Sequence, residues 1–206
     1  SRGTATNYDI ATPNNGTLTI NPAPLIVAVI DASRLYGDAN PAFSATITGF
    51  KLGQDASVLT GLVFSTAATI NSNVGTYAIT SSGGTAQNYY IATRINGTLT
   101  INPAPLIVAV NDASRLYGDA NPLFSAVITG FKLGQDASVL SGLVFSTVAT
   151  QSSDVGNYAI TSSGGTASNY YIATRINGTL TINPAPLIVA VNDASRLYGD
   201  ANPLFS

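Results

Sequence analysis

Cysteine, histidine, methionine and tryptophan are all absent from this chain, and every acidic residue is an aspartate. Without Cys or His there is no thiolate nucleophile, no imidazole base and no zinc or copper site of the usual ligand types, so the composition predicts a protein that is not an enzyme. Disulfides are excluded as well. That suits the cytosol and equally an exported bacterial protein that stays unfolded until it has crossed a membrane. Charge is scarce too: charged residues make up 9% of the chain, and Gly, Ser, Thr and Asn fill the surface positions that Lys and Glu usually occupy. With 8 basic residues dispersed along the chain and a net charge of −2, there is no electrostatic footprint for nucleic acid or an anionic membrane. No apolar run approaches the roughly 18 residues needed to cross a bilayer, so membrane insertion by this segment is not expected. What the chain does have is an apolar fraction of 45%, enough to pack a core.

It also has a repeat. The run from Ile20 to Leu25 (Ile-Asn-Pro-Ala-Pro-Leu) recurs from Ile101 and again from Ile182, a period of 81 residues. Residues 24–104 and 105–185 are two complete copies that differ at ten positions, among them Ile30/Asn111, Ala42/Leu123, Thr46/Val127, Asn73/Asp154 and Thr76/Asn157. Residues 1–23 match the C-terminal part of a copy and 186–206 the N-terminal part of another, so the chain reads as a window on a longer tandem array.

Within the second copy, Leu106–Val110 is a short, continuously apolar run that reads as a buried strand. The segment from Tyr117 to Pro122 (Tyr-Gly-Asp-Ala-Asn-Pro) is dense in turn formers and reads as a loop. Phe124, Ala126 and Ile128 alternate with Ser125, Val127 and Thr129; Leu143 and Phe145 flank Val144; Tyr158 and Ile160 flank Ala159. These predict three more strands. Tyr170, Ile172, Thr174 and Ile176 fall on one face of a fifth, Asn177-Gly178 predicts a two-residue hairpin, and Leu180 and Ile182 point inward from a sixth. Residues 135–140 have room for one helical turn. Six or seven short strands in about 80 residues predict an all-β fold, a tandem array of small immunoglobulin-like β-sandwich modules, with a β-grasp-like sheet as the alternative. The segment from Asp154 to Tyr158 favours the sandwich, because it resembles the tyrosine corner of immunoglobulin-like domains.

Several of these segments together carry a family likeness: Tyr117 to Pro122, then Ile128-Thr129-Gly130, then Val155 to Thr161, then Asn169-Tyr170, then Gly178 to Pro186. In this order they resemble the MBG domain of YGX type. The resemblance implies tandem modules of a large secreted adhesin of the filamentous haemagglutinin kind from a Gram-negative bacterium, hence an extracellular or cell-surface location. It brings no catalytic, cofactor or metal residues to transfer. The first fragment departs from the pattern, with Asp9 where Tyr90 and Tyr171 stand and Pro13 where Arg94 and Arg175 stand, which predicts a different edge strand there.

Candidate sites each have a plainer reading. Asp112, Asp119 and Asn121 carry oxygens for calcium, but that ion takes 6–8 ligands and the second copy holds four Asp and no Glu. The plainer reading has Asp119 and Asn121 bonding their own backbone in a capping turn, with Gly118 at positive φ and Tyr117 packed beneath. Lys51 and Lys132, the lysines of their copies, sit in a Phe-Lys-Leu-Gly bend that reads as exposed and not as an isopeptide cross-link. Tyr89-Tyr90 and Tyr170-Tyr171 offer aromatic faces for sugar rings, although alternation sends one of each pair into the core. The Asn-Gly-Thr sequences at Asn96 and Asn177 fit a glycosylation acceptor, but turn chemistry explains them.

The expectation is a structural stalk or matrix filament of a bacterial adhesin, without metal or cofactor. The alternative is a glycan-binding array that gains avidity by repetition. Neighbouring repeats are the first partners expected, with lateral self-association and surface polysaccharide as the others. Between Ile182 and Leu187 a linker of about three residues holds two prolines, whose fixed φ predicts a short stiff connector and an elongated array.

Overall fold

The computed structural model describes residues 6–8 and 15–204, so Asp9 and Pro13 lie outside the described residues. The first repeat forms strands β1 (Ala23–Val29), β2 (Ala32–Leu35), β3 (Ala45–Thr48), β4 (Thr60–Thr66), β5 (Gly75–Thr85), β6 (Tyr89–Ile95) and β7 (Gly97–Asn102). The second forms β8 (Ala104–Val110), β9 (Ala113–Leu116), β10 (Ala126–Thr129), β11 (Ser141–Thr147), β12 (Gly156–Thr166), β13 (Tyr170–Ile176) and β14 (Gly178–Asn183). Each repeat holds a three-stranded sheet, ordered β10-β8-β13 in the second, and a four-stranded sheet, ordered β11-β12-β14-β9. The fold is all-β and the modules are β-sandwiches, with one 3-10 turn per repeat where a single helical turn is expected (Ala137–Val139 in the second). That turn starts at Asp136, whose carboxylate accepts the Ser138 amide at 2.9 Å. Hydrogen bonds from the Ser138 side chain and backbone hold the carboxyl below its ordinary pKa.

The core follows from strand alternation. Leu106, Val108 and Val110 of β8 are buried, and Val110 clusters with Ile160 of β12 and Leu180 and Ile182 of β14. Phe124, Phe145 and Tyr158 pack against this cluster from its margin. The first repeat buries the corresponding Leu25, Val27, Ile79 and Leu99. Tyr158 is half-buried, and its hydroxyl donates to the Asp154 carbonyl at 3.0 Å. A tyrosine corner makes the same bond to backbone a few residues upstream.

Three features depart from expectation. First, the Asn177-Gly178 pair does not make a hairpin: β13 pairs in parallel with β8, whereas β14 pairs with β12 and β9, so the pair is a corner where the chain crosses from one sheet to the other. Gly178 lacks the positive φ of a primed turn. It is required by close approach, because a Cβ there would lie 2.5 Å from the Asn111 carbonyl oxygen and 2.9 Å from that of Val110. Second, the single inward face expected for Tyr170, Ile172, Thr174 and Ile176 is broken. The β13–β8 register shifts between Ile172 and Thr174, which leaves Ile176 51% exposed. An inserted residue reverses the alternation of everything beyond it. Arg175, past the shift, donates to the Ser162 hydroxyl at 3.2 Å and to the Gly164 carbonyl. Third, Pro103 alone stands between β7 and β8, a one-residue connector in place of three.

The corner predicts opposite outcomes at two adjacent positions. Gly178→Ala should destabilise the second repeat by about 2 kcal/mol or more, since two backbone carbonyls must move. Asn177→Ala should stay within about 0.5 kcal/mol, because no positive φ depends on Asn177. Denaturant unfolding of both variants checks this; equal losses at the two positions would restore the hairpin.

Candidate functional site

The Tyr-Gly-Asp segment is a loop in both repeats, with Gly37 at φ 79° and Gly118 at φ 86°. Its base is held by an arginine that sequence reasoning passed over. Arg115 is buried, yet it faces no carboxylate among its hydrogen-bond partners. Its Nε donates to Asn121 Oδ1 at 2.8 Å, Nη1 to the Leu116 carbonyl at 3.0 Å and Nη2 to the Thr150 carbonyl at 2.5 Å. Asn121 completes the clasp by donating from Nδ2 to the Ala149 carbonyl at 2.7 Å. The first repeat builds the same device from Arg34 and Asn40, with Nε to Oδ1 at 2.7 Å and Asn40 Nδ2 to the Ala68 carbonyl at 2.7 Å. A buried guanidinium needs its donors satisfied, and neutral carbonyls in the right places can do so. A signal was present in the sequence: one Arg, six residues ahead of an Asn, spanning the loop.

The clasp changes the reading of the calcium candidates. Asn121 does not cap its own turn; it serves Arg115 and the 149 carbonyl. Asp112 is committed elsewhere, accepting the Thr179 amide at 2.7 Å, as Asp31 accepts that of Thr98 at 2.6 Å. Asp119 closes the turn through its own amide to the Leu116 carbonyl at 3.2 Å. Each of the three is engaged in a separate hydrogen bond, and a guanidinium stands against the Asn121 oxygen.

The two tyrosine pairs divide as alternation requires. Tyr89 and Tyr170 are buried, whereas Tyr90 and Tyr171 are 53% and 52% exposed. The buried member anchors the lysine bend. Tyr170 Oη accepts the Lys132 amide at 3.0 Å and donates to Gln135 Oε1 at 2.5 Å, and its ring meets Phe131 edge-on at 5.6 Å. Tyr89 repeats this with Lys51 at 3.0 Å, Gln54 at 2.6 Å and Phe50 at 5.6 Å. The bend is tight enough that Leu52 and Leu133 take φ of 57° and 56°. Lys51 is exposed as expected. Lys132 is half-buried, with its ammonium 3.1 Å from Asp38 Oδ1. Asn96 and Asn177 lie exposed at the sheet-crossing corners.

Two measurements follow from this geometry. Asn121→Ala should cost about 2–3 kcal/mol, because it strips a buried charged donor of its acceptor, whereas an exposed change such as Ser152→Ala should be silent. Comparable losses at both positions in denaturant melts would dismiss the clasp. Metal should be dispensable: melting with and without EDTA should agree, and a drop of more than about 5 °C would mean that a bound cation contributes over about 1 kcal/mol.

Comparison with known proteins bears on the whole repeat. Among solved structures the chain is similar to "Sidekick-1 immunoglobulin domains 1-4", at 10% identity and a TM-score of 0.27, covering 80% of this chain and 52% of that one. The likeness is too loose to bear on the fold, and the chain spans about half of that structure's length. No curated protein matches. The family model described as MBG domain (YGX type) matches residues 25–100 and 106–181. With more than half of its length matched, in two tandem stretches, the chain belongs to the MBG domain (YGX type) family.

Proposed function

We propose that this chain is a structural repeat of a bacterial cell-surface or secreted adhesin or fibre, a non-catalytic, semi-rigid stalk or matrix filament. Its tandem MBG repeats are consistent with repeat modules of extracellular proteins. Among the described residues, no helix is long and apolar enough to cross a membrane. The observation that carries the reading is the tandem repetition itself: two near-identical sandwiches in one chain, with Pro103 the single residue between β7 and β8. A one-residue connector with a fixed φ is what a semi-rigid array would use. A sparsely charged, Ser- and Thr-rich surface also suits a spacer, whose work is to set distance and resist association with the wrong partners.

A second reading has one observation in its favour, the outward Tyr90 and Tyr171 repeated once per module. Repetition of a weak aromatic contact can raise avidity toward a polysaccharide.

Small-angle scattering tests the stalk. Strands of 6–7 residues such as β1, β4, β6 and β7, at about 3.3 Å per residue and with loops at either end, give roughly 35–45 Å per repeat, so the chain should be elongated on that scale. A compact particle, or scattering that demands freely variable angles between repeats, would sink the spacer. Titration with surface polysaccharides separates the two readings: a stalk gives no saturable response, whereas saturation that disappears in a Tyr90→Ala/Tyr171→Ala variant establishes the glycan array.

A further inference from the structure

The Tyr-Gly-Asp loop at 36–38 is covered, with Tyr36 edge-on to Tyr170 at 5.4 Å and Gly37 against the Lys132 stem. The outer face of the three-stranded sheet stands open. The β13 register shifts after Ile172, so Thr174 and Ile176 pair with Ile107 and Ala109, while Arg175 pairs with the buried Val108. On the other side of β8, β10 sets Thr129 against Ile107 and Val127 against Ala109. Paired residues point to the same side of a sheet. Ile107 therefore lies between two threonines and Ala109 between an isoleucine and a valine, with Tyr171 farther back on β13.

These are large side chains to leave in water: Ile107 is 41%, Ile176 51%, Tyr171 52% and Val127 56% exposed. The first repeat agrees closely, with Ile26 at 42%, Ile95 at 52% and Tyr90 at 53%. The first repeat has another after it and the second has another before it, yet the exposure is the same, so the ends of the chain do not set it. What makes the face apolar is the register shift. Unbroken alternation from Tyr171 would turn Arg175 outward and Ile176 inward; the extra residue exchanges them. Arg175 is the one charged residue of the three strands, and β13 is an edge strand, where an outward charge is a usual guard against association. The shift takes that guard off the face.

The chemistry of the face selects what can cover it. The β8 backbone is engaged on both sides by β10 and β13, and the side chains offer the hydroxyls of Thr129, Thr174 and Tyr171 and no charge. A polysaccharide or a charged partner would give up hydrogen bonds to water that this surface cannot replace, whereas an apolar sheet face gives up few. Area narrows the choice. Three strands about 4.8 Å apart, each about five residues long at 3.3 Å, span on the order of 250 Å². A stable interface takes about 800 Å² from each partner, so a molecule that meets one such face does not stay. A second copy carries as many of these faces as this chain does, and weak contacts then add. We propose that the outer face of the three-stranded sheet, at Ile107, Ile176 and Val127 and again at Ile26 and Ile95, is a self-association surface that packs on the same face of a second copy. Like faces meet, so each contact is isologous, with two sheets stacked about 10 Å apart. This does not rest on the stalk reading, and it competes with the glycan reading for Tyr90 and Tyr171.

Sedimentation equilibrium of the whole chain tests it. The average mass of the wild type should rise with concentration up to ~1 mM. Ile176→Thr keeps the β-branch and removes the apolar end of the side chain, and it should weaken association about tenfold, or ~1.4 kcal/mol. Ile95→Thr together with Ile176→Thr should leave a monomer throughout that range, with a melting temperature within about 2 °C of wild type. Val63→Thr with Val144→Thr is the control: these side chains are 55% and 56% exposed on the four-stranded sheets, and their exchange should leave association unchanged. A wild-type chain that is monomeric at ~1 mM would overturn the proposal; if that monomer is elongated in scattering, the stalk reading survives it. Equal losses in the two double variants would also overturn it, by showing unspecific stickiness. So would saturable binding of a surface polysaccharide that Ile95→Thr/Ile176→Thr removes, which would give the face to a glycan.

Discussion

The passage from β13 to β14 is the point on which each sandwich depends. Two strands adjacent in sequence are sent to different sheets by a single residue between them, and the turn is tight enough that the backbone of β14 begins against the carbonyls of Val110 and Asn111. A Cβ there would clash, and at the matching Gly97 it would crowd the Ile30 and Val29 carbonyl oxygens at 3.0 Å. Once the crossing is made, β14 lies between β12 and β9 and delivers Leu180 and Ile182 to the core, while β13 stays with β8. The corner keeps the two sheets in covalent continuity, and the side chains of the core pack between them. In a chain without disulfides this corner, with the short crossing from β8 to β9, staples the two sheets covalently.

The corner also explains which parts of the fold could be read in advance. Many strand positions and inward residues were legible, because period-two alternation is a local property: Tyr158, Ile160, Leu180 and Ile182 need only their own neighbours in sequence to declare a face, whereas the continuously apolar Leu106–Val110 did not show that Ile107 faces outward. Pairing partners are not local. Asn-Gly between two alternating runs has the composition of a hairpin, and nothing in those residues says that the flanking strands pair with β8 and β12 instead of each other. The register shift after Ile172 was hidden for a related reason, since the two runs Tyr170–Ile172 and Thr174–Ile176 alternate correctly within themselves and only their phase changes. Arg115 was missed because charge scales place arginine outside. Its partners are backbone carbonyls at 116 and 150 and an asparagine at 121, and carbonyl positions carry no signature in sequence.

The surface is built on the same economy. With few charges available, polar positions on the sheets are joined by hydroxyl pairs such as Ser146 with Thr161 at 3.1 Å and Ser141 with Thr166 at 3.2 Å, on strands that alternate apolar-in and polar-out. Such pairs add modestly to strand pairing and carry no net charge. The candidates for chemistry dissolve into structure in the same way: Asp112 and Asp31 accept strand amides, Asn121 and Asn40 serve arginines, and Tyr170 and Tyr89 anchor bends. Nearly every distinctive polar residue of the repeat is occupied in shaping a loop.

That leaves the question of why the repeat shapes its loops so firmly. A Tyr-Gly-Asp loop that depended on a neighbour for its conformation would be disordered in any repeat that lacked one, and ordering it on contact would consume the little energy that one tyrosine and one ion pair supply. The Arg115–Asn121 clasp removes that dependence. It fixes the base of the loop from within its own repeat, so that Gly118 adopts the same left-handed conformation in the open as Gly37 does when covered. The Tyr89 hydroxyl does the equivalent for the lysine bend, where Leu52 keeps a positive φ despite nearly full exposure. A buried arginine and a strained leucine are expensive features for a small sandwich to retain, and each is local to one side of a contact. Their cost falls on the stability of the single repeat, and what it secures is a loop and a bend whose shapes do not depend on what covers them.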